Sequence, residues 1–305
     1  LLSLGRTLGA IDRGLTDFSH PRSERDFKWD LSRAGWIEAS MARIADPVRR
    51  TLVERALAMF KARVVPALPR LRRSVIHSDA NDYNVLVNAV DAEPREVRSV
   101  IDFGDMHLGL TVAEVAIGAT YALLGRKDPL EAAALVVRGY HAAYPLEECE
   151  VDVVFPLILA RLAVSVTNSA LRKTLKPDDP YVTISEAPAW KALESLMRFP
   201  PDLAGATFRH ACGYPAIGEA VAAVSWIEAN RSRMANVLEV DLKTAPSLVF
   251  DLSVGSPLLG ADPRATETKA LTDLLFGEMK KAGARVGVGR YDEARLLYVS
   301  PLFGQ

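Results

Sequence analysis

One short polar stretch of the chain holds residue types that could do chemistry. It reads HSDANDYN, residues 77–84, and places one His, two Asp and two Asn between apolar flanks at 75–76 and 85–87. Asp and Asn are common in exposed turns, where their side chains bond to nearby backbone. The apolar flanks instead predict a polar cluster at the mouth of a packed region. Carboxylate and amide oxygens suit Mg²⁺, and a carboxylate that stays off the metal can accept a proton.

Two predicted strands would position these side chains. Strand-like segments at 85–88 and 97–101, both rich in Val, flank a turn at 91–94, which predicts an antiparallel hairpin. Asn84 begins the first strand and Asp102 follows the second, so both would lie at the same end of the hairpin. Asp79 can loop back over that end. Two carboxylates and an amide oxygen would then converge, a set that serves phosphoryl transfer through positioning and charge neutralisation.

Two motifs in this region resemble those of a known family. The pattern H-x-D-x-x-x-x-N at 77–84 and VIDFGD at 100–105 are similar to the catalytic and metal-binding loops of the aminoglycoside phosphotransferase and choline kinase-like families. These families share the catalytic lobe of protein kinases. The segments IHSDANDYNVLV, IDFGDMHLGLTVAEVAIG and ARLAVSVTNSA resemble most the hydroxylysine kinase and homoserine kinase type II branch. The resemblance runs from about residue 1 to 235.

The resemblance implies a role for each motif residue. Asp79 would be the catalytic base, and His77 would brace the loop through backbone contacts. Asn84 and Asp102 would hold Mg²⁺ against the phosphates of ATP or GTP. The acceptor would be a hydroxyl of a small amino-alcohol or hydroxy-amino-acid. Asp82 and Asp105 lie where they could contact a substrate or a second metal ion, and no role is assigned to either residue.

Arg161 is a further candidate because it interrupts an apolar helical segment. A buried Arg requires a compensating anion. It could hold a substrate carboxylate, or it could form a structural pair with Glu114 or Asp152, which is the interpretation that we favour from sequence.

The implied fold class is α+β: a protein-kinase-like catalytic lobe, mainly helical with a small β-hairpin, followed by a partial α/β segment. Apolar spacing predicts helices at 1–18, 31–44 and 47–68, a helical region with breaks at 110–199, and a helix at 217–238. Beyond 240, strand-like and helical patterns follow at 247–258, 261–284 and 285–303.

The expected domains are a kinase-like catalytic lobe at 1–240 and, at 241–305, a linker with the start of an incomplete second domain. The family's amino-terminal nucleotide lobe has no counterpart in the sequence, which begins at Leu1 inside a helical pattern. The expectation is a piece of a multidomain protein that continues into peptidase and class III aminotransferase domains. Alone, it would be inactive and would self-associate through the lobe face left exposed.

Composition narrows the function classes. Among 305 residues, 37 Lys and Arg balance 38 Asp and Glu, which gives no support to nucleic-acid or membrane-surface binding. Cys149 and Cys212 cannot form a disulfide framework or a cysteine zinc site, and they fit a cytoplasmic protein. Two alternatives stay open: a non-catalytic pseudokinase scaffold, and a metal-dependent hydrolase using His77, Asp79, Asp102 and His107.

Overall fold

The structure, a computed structural model, describes residues 1–88, 96–175 and 186–214. It divides into two units, Leu1–Phe199 and Pro200–Gln305. The first contains six α-helices among its described residues: α1 (Leu2–Gly14), α2 (Pro47–Met59), α3 (Thr111–Ala122), α4 (Pro129–Ala143), α5 (Glu148–Leu175) and α6 (Glu186–Leu196). In the second unit, the described residues contain α7 (Pro201–Ala211).

Four short strands form two separate antiparallel pairs. They are β1 (Arg73–Ile76), β2 (Val85–Val87), β3 (Val97–Val100) and β4 (His107–Leu110). Strand β1 pairs with β4, with Ile76 opposite His107, and β2 pairs with β3, with Val85 opposite Val100. The predicted hairpin is therefore present. The β1–β4 pair was not predicted, because its last strand joins α3 directly and both belong to one apolar run.

Within the described residues, the predicted helical segments are present with altered ends or altered winding. The first ends at Gly14 rather than near 18, and the segment Leu31–Arg43 is wound as 3₁₀ helix. Asp46 caps the amino end of α2, since its carboxylate accepts the backbone N–H groups of Val48 and Arg49. Helix α2 gives way to a π-helical turn at Phe60–Val64 and a 3₁₀ segment at Val65–Arg70. Prolines in that last segment lack the N–H that an α-helix requires.

The long helix α5 is the centre of the core. It packs against α3, α6 and the 3₁₀ segment Leu31–Arg43. Its residues from Val153 to Val164 are almost all buried, and they include Arg161. A charged residue buried in this way needs polar partners, and Arg161 has them in the candidate active site.

Helices α1 and α4 approach each other closely because glycines line their contact. A Cβ at Gly5 would collide with the backbone oxygen of Val136, and one at Gly139 would collide with that of Leu2. Across the same interface the Tyr140 hydroxyl donates a hydrogen bond of 2.5 Å to the buried Asp12 carboxylate. Burial and the nearby Glu114 raise the pKa of Asp12 well above its usual range.

Several of the sequence predictions concern residues outside the ranges that the structure describes. The boundary near 240, the turn at 91–94 and the predicted elements from 217 onward lie outside the described residues. Among the helices described, none is both long enough and apolar enough to cross a lipid bilayer.

We expect Gly5→Ala to lower the free energy of unfolding by about 1–3 kcal/mol, because the methyl group overpacks the α1–α4 contact. Urea denaturation of the chain measures this change. Gly14→Ala is the matched control, since nothing lies within 4 Å of the added Cβ, and it should leave stability unchanged or slightly raised. Equal effects of the two substitutions would show that the close approach does not limit stability.

Candidate active site

The two motif loops are held between the same two strand pairs. The catalytic-type loop, residues 77–84, runs from β1 to β2, and the metal-type loop, residues 101–106, runs from β3 back to β4. Because β1 pairs with β4 and β2 with β3, the loops lie side by side. A backbone hydrogen bond of 2.9 Å from Ile101 N–H to the Asn84 carbonyl ties their hairpin ends together.

Asp79 is oriented by amide donors on one of its two oxygens. Its Oδ2 accepts hydrogen bonds from Asn81 Nδ2 at 2.9 Å and from Asn84 Nδ2 at 3.0 Å. Its Oδ1 has only a 3.4 Å contact with the Tyr121 hydroxyl. Burial raises the pKa of Asp79 above its ordinary value, against the lowering effect of Asn81 and Arg161. The less engaged Oδ1 is thus the oxygen that can accept another proton.

Asn84 and Asp102 have oxygens that could ligate a cation. Asn84 uses its Nδ2 on the backbone oxygen and Oδ2 of Asp79, which leaves its side-chain oxygen without a described partner. Asp102 has a left-handed backbone (φ 64°), and its Oδ1 accepts the Gly104 N–H. The conformation costs about 1–3 kcal/mol, and it sets an exposed carboxylate beside the end of the hairpin. Hard oxygen donors at this place fit Mg²⁺.

His77 is fully buried and bonded to both loops. Its Nδ1 accepts the Asp79 N–H at 3.2 Å, so its Nε2 carries the proton and donates to the Ile101 carbonyl at 3.0 Å. The Phe103 ring meets it edge-on, with centroids 4.8 Å apart. These contacts fit a bracing role and leave no free ring nitrogen for chemistry.

Glu114 was not recognised from sequence as part of the site. It is completely buried on α3, and its Oε2 accepts the Ser78 backbone N–H at 2.7 Å. Ser78 has a left-handed backbone (φ 71°), which a residue other than glycine adopts only when its surroundings hold it there. Burial raises the pKa of Glu114, while this hydrogen bond works in the opposite direction. A lone Glu in an otherwise apolar helix was the available signal.

A cavity of about 240 Å³ opens beside Asp79. Asp105 also lines it, but Asp82 is exposed and does not, and neither Asn84 nor Asp102 belongs to its wall. Arg25 lies 4.0 Å from the Asp105 carboxylate. The remaining lining residues that bear on recognition come from distant parts of the chain: Trp29, Tyr121, Arg161, Ser165, Asn168 and Arg172.

Arg161 is buried in the wall of this cavity. Its guanidinium donates hydrogen bonds to the Tyr121 hydroxyl at 2.5 Å and to Ser165 Oγ at 2.8 Å. It also stacks over the Trp29 ring, 4.4 Å from the centroid. Within the described ranges no carboxylate lies within 4.0 Å of it, so the favoured structural pair with Glu114 or Asp152 was wrong. Glu114 instead serves the backbone of the catalytic-type loop.

The metal-dependent hydrolase alternative requires a cluster of metal ligands, which the described residues do not contain. Throughout the part of the chain that the structure describes, no group of three or more His, Cys, Asp and Glu residues is placed to hold a metal ion. His107 lies in β4 with its ring tilted against Phe27 at 4.8 Å, away from a ligand set.

Comparison with known proteins bears on the family resemblance that the two motifs predict. Residues 1–148 match the model of the phosphotransferase enzyme family known as APH, so the predicted resemblance is confirmed. The protein is 30% identical to hydroxylysine kinase of Mus musculus over 205 residues, which are 64% of this chain and 54% of that protein. It is 28% identical to hydroxylysine kinase of Bos taurus over the same shares of the two chains. The chain thus spans about half the length of the curated relatives it matches.

Two solved structures are similar in fold at low identity. A microcompartment-associated aminopropanol kinase aligns with a TM-score of 0.47 at 17% identity, covering 69% of this chain and 62% of that one. Amicoumacin kinase hAmiN in complex with AMP-PNP, Ca²⁺ and Ami aligns with a TM-score of 0.44 at 15% identity, covering 66% and 60%. The chain's own helices and strands confirm the predicted α+β class, mainly helical with a small β-hairpin.

We expect Glu114→Ala to lower the free energy of unfolding by about 1–3 kcal/mol, because the buried Ser78 N–H would lose its acceptor. Glu114→Gln is the matched control, since it keeps an oxygen at the same reach, and it should cost less. Urea denaturation gives the stabilities, and hydrogen exchange at the Ser78 amide reports the bond itself. Unchanged amide protection in the Ala variant would contradict the assignment.

Proposed function

We propose that the protein containing this chain transfers the γ-phosphoryl group of ATP or GTP to a hydroxyl of a small amino-alcohol or hydroxy-amino-acid. One observation carries the proposal: Asp79 lines a cavity of small-molecule size and is hydrogen-bonded to Asn84, a candidate metal ligand. A carboxylate between an acceptor pocket and a phosphate-binding edge is what in-line phosphoryl transfer requires.

Asp79 would orient the acceptor hydroxyl and take its proton. Its Oδ2 is occupied by two amide groups, so the hydroxyl would approach Oδ1, where the Tyr121 hydroxyl is the only described neighbour. The raised pKa of Asp79 makes its ionised form a better proton acceptor than a solvated carboxylate. His77 and Glu114 would act indirectly, by fixing the loop backbone on either side of Asp79.

Asn84 and Asp102 would hold a divalent cation, with Mg²⁺ as the proposed ion. When bound, such an ion offsets the negative charge of the nucleotide phosphates. The two residues would present their oxygens from the same end of the β2–β3 hairpin, next to Asp79. The family match supports this use of nucleotide and metal, and the geometry supports the identity of the ligands.

The names of the relatives support the acceptor class. Proteins similar to this chain are a hydroxylysine kinase and an aminopropanol kinase, which act on small hydroxyl compounds that also carry an amine. Asp79 and Asp105 give the cavity an acidic side suited to an ammonium group. Asp105 would be a substrate contact in this arrangement, while Asp82 lies outside the cavity and has no proposed role.

We expect Asp79→Asn to reduce kcat in the full-length protein by about a hundredfold or more, since Asn cannot accept the proton. The measurement is ATP-dependent phosphorylation of a panel of amino-alcohols and hydroxy-amino-acids, and the panel also names the acceptor. Asp17→Asn, the same change at an exposed position of the described structure, is the control and should keep full turnover. Near-wild-type turnover of the Asp79 variant would remove the base assignment, and absence of transfer to every acceptor by the wild type would favour the pseudokinase scaffold.

We also propose that the exposed end of the hairpin contacts an upstream nucleotide lobe in the longer protein. Large apolar side chains are exposed there: Tyr83, Leu86, Val87, Ile101 and Phe103. Several neighbouring apolar side chains in water mark an interaction surface. We likewise propose that the longer protein contains domains downstream of this chain. We also propose that residues 1–305 alone have little or no kinase activity.

If this surface lacks its partner, we expect the chain of 305 residues to self-associate through it. A double variant, Tyr83→Ser with Leu86→Lys, should shift the species seen by sedimentation velocity towards the monomer, because it removes apolar area and adds charge. Val48→Lys changes a single exposed apolar residue on α2 and should leave association as it is. A wild-type chain that stays monomeric at high concentration would argue against the proposed contact surface.

A further inference from the structure

Three acidic side chains are completely buried in the helical core of the first unit. They are Asp12 on α1, Glu114 on α3 and Glu150 on α5, and the exposure of each is 0%. A buried carboxylate loses its hydration, and it stays ionised only where cations or N–H groups replace the lost water. The fold gives these three side chains different partners, so their charges have to be assigned one by one.

Glu150 is fully compensated by an arginine. The Arg72 guanidinium donates hydrogen bonds from Nε at 2.9 Å and from Nη2 at 2.5 Å to the two oxygens of Glu150. Such a bidentate pair is among the strongest compensations that a carboxylate can have in a protein. Glu150 is therefore ionised, and Arg72 is engaged with it.

Glu114 also has partners that favour its ionised form. Its Oε2 accepts the Ser78 N–H at 2.7 Å, and the nearby His77 and His107 side chains lower its pKa. Burial acts in the opposite direction and is the larger effect. Glu114 thus carries a charge that backbone and imidazole groups support.

Asp12 has the poorest support for a charge. Its Oδ2 accepts the Tyr140 hydroxyl at 2.5 Å, while its Oδ1 has no hydrogen-bond partner among the described residues. Burial raises the pKa of Asp12 most, and the negative charges of Glu114 and Glu150 raise it further. Tyr140 and the more distant Arg72 act in the opposite direction. The unpartnered Oδ1 is the atom on which a proton can reside.

The contact between α1 and α3 explains why Glu114 acts on Asp12. A Cβ at Gly118 would collide with the Leu8 side chain, so the two helices touch there. Asp12 lies one helical turn after Leu8, and Glu114 lies one turn before Gly118. Glu114 Oε1, like Asp12 Oδ1, is buried and has no described partner. Ionising both acids would place two like charges near each other in the core, which is costly.

We infer that Asp12 keeps its proton at neutral pH, so that the buried pair of Asp12 and Glu114 carries one negative charge, located on Glu114. Asp12 is then a positioning residue that acts through Glu114. Because it stays neutral, Glu114 can remain ionised and hold the Ser78 N–H of the catalytic-type loop. Asp12 lies far from both motifs in the sequence, and neither motif indicates this role.

A retained proton gives the stability of the protein a pH dependence of known sign. An Asp in an unfolded chain loses its proton near about pH 4, whereas Asp12 in the folded protein keeps it to higher pH. The folded state then binds one more proton than the unfolded state. The contribution of Asp12 to stability is thus fully present below about pH 4 and is lost as the pH rises through its raised pKa. Within that range, each pH unit changes the unfolding constant by about tenfold.

Asp12→Asn tests the inference, because an amide has the shape of a protonated acid and keeps an acceptor for Tyr140. Urea unfolding of the intact chain is measured from about pH 5 to about pH 7. We expect the unfolding constant of the wild type, divided by that of the variant, to rise by about tenfold per pH unit. Asp17→Asn, at an exposed position just beyond α1, is the control and should show a ratio that does not change with pH.

Glu114→Gln locates the proton within the pair. Asp12 stays buried and protonated in this variant, so its unfolding constant should keep a fixed ratio to that of the wild type across the same pH range. A ratio that rises with pH in Glu114→Gln would place a proton on Glu114 and overturn the inference. A ratio that stays constant in Asp12→Asn, or an Asp12→Asn chain that does not fold, would overturn it as well.

Infrared spectroscopy examines the proton directly. At neutral pH the wild type should show the carbonyl band of a buried protonated carboxyl group, which Asp12→Asn lacks and Glu114→Gln keeps. Absence of this band from the wild type would overturn the inference even if no variant could be prepared. These measurements need no kinase activity, so their outcome is independent of the proposed phosphoryl transfer.

Discussion

The pairing of four short strands is the constraint on which the site depends. Strands β1 and β4 fix one end of each motif loop, and strands β2 and β3 fix the other end. Each pair alone is too short to be stable in water. Their stability must come from the helices beside them, since β1 contacts α3 and α1, and α1 also contacts β3. The loops are thus positioned by strands, and the strands by the helical core.

Two charged side chains of the site project from apolar helices of the core. Burying a charge there costs free energy, so each of these side chains needs particular partners. Glu114 on α3 and Arg161 on α5 are both buried, and each bonds to a group that directly adjoins Asp79. Glu114 holds the Ser78 N–H one residue before it, and Arg161 holds the Tyr121 hydroxyl that contacts its Oδ1. A buried ionisable group without such partners would strongly destabilise the fold. The helices that form the core therefore also set the electrostatic environment of the base.

The sequence was sufficient to predict the hairpin, and it placed Asp79 and Asn84, which are joined by a hydrogen bond, next to each other at one end of it. Asp79, Asn84 and Asp102 stand at fixed distances from two short apolar segments, and that is local information. The β1–β4 pair was missed because HLGL at 107–110 leads into α3 without any polar cap or turn residue. The cavity could not be predicted, since Trp29, Tyr121 and the α5 residues Arg161 and Arg172 meet only when three distant segments pack together. From sequence, Glu114 was considered only as a possible structural partner of Arg161.

The contrast between Glu114 and Arg161 shows what sequence alone does not determine. Each is a single charge in an apolar helix, and the simplest expectation is that the two pair with each other. The structure separates them: Glu114 lies under the loop backbone, and Arg161 lies in the cavity wall beside Tyr121. The carboxylate is compensated by backbone N–H donors of a strained loop, so its cost is offset within the protein. The guanidinium donates hydrogen bonds to the Tyr121 and Ser165 hydroxyls and also interacts electrostatically with Asp79, whose pKa it lowers.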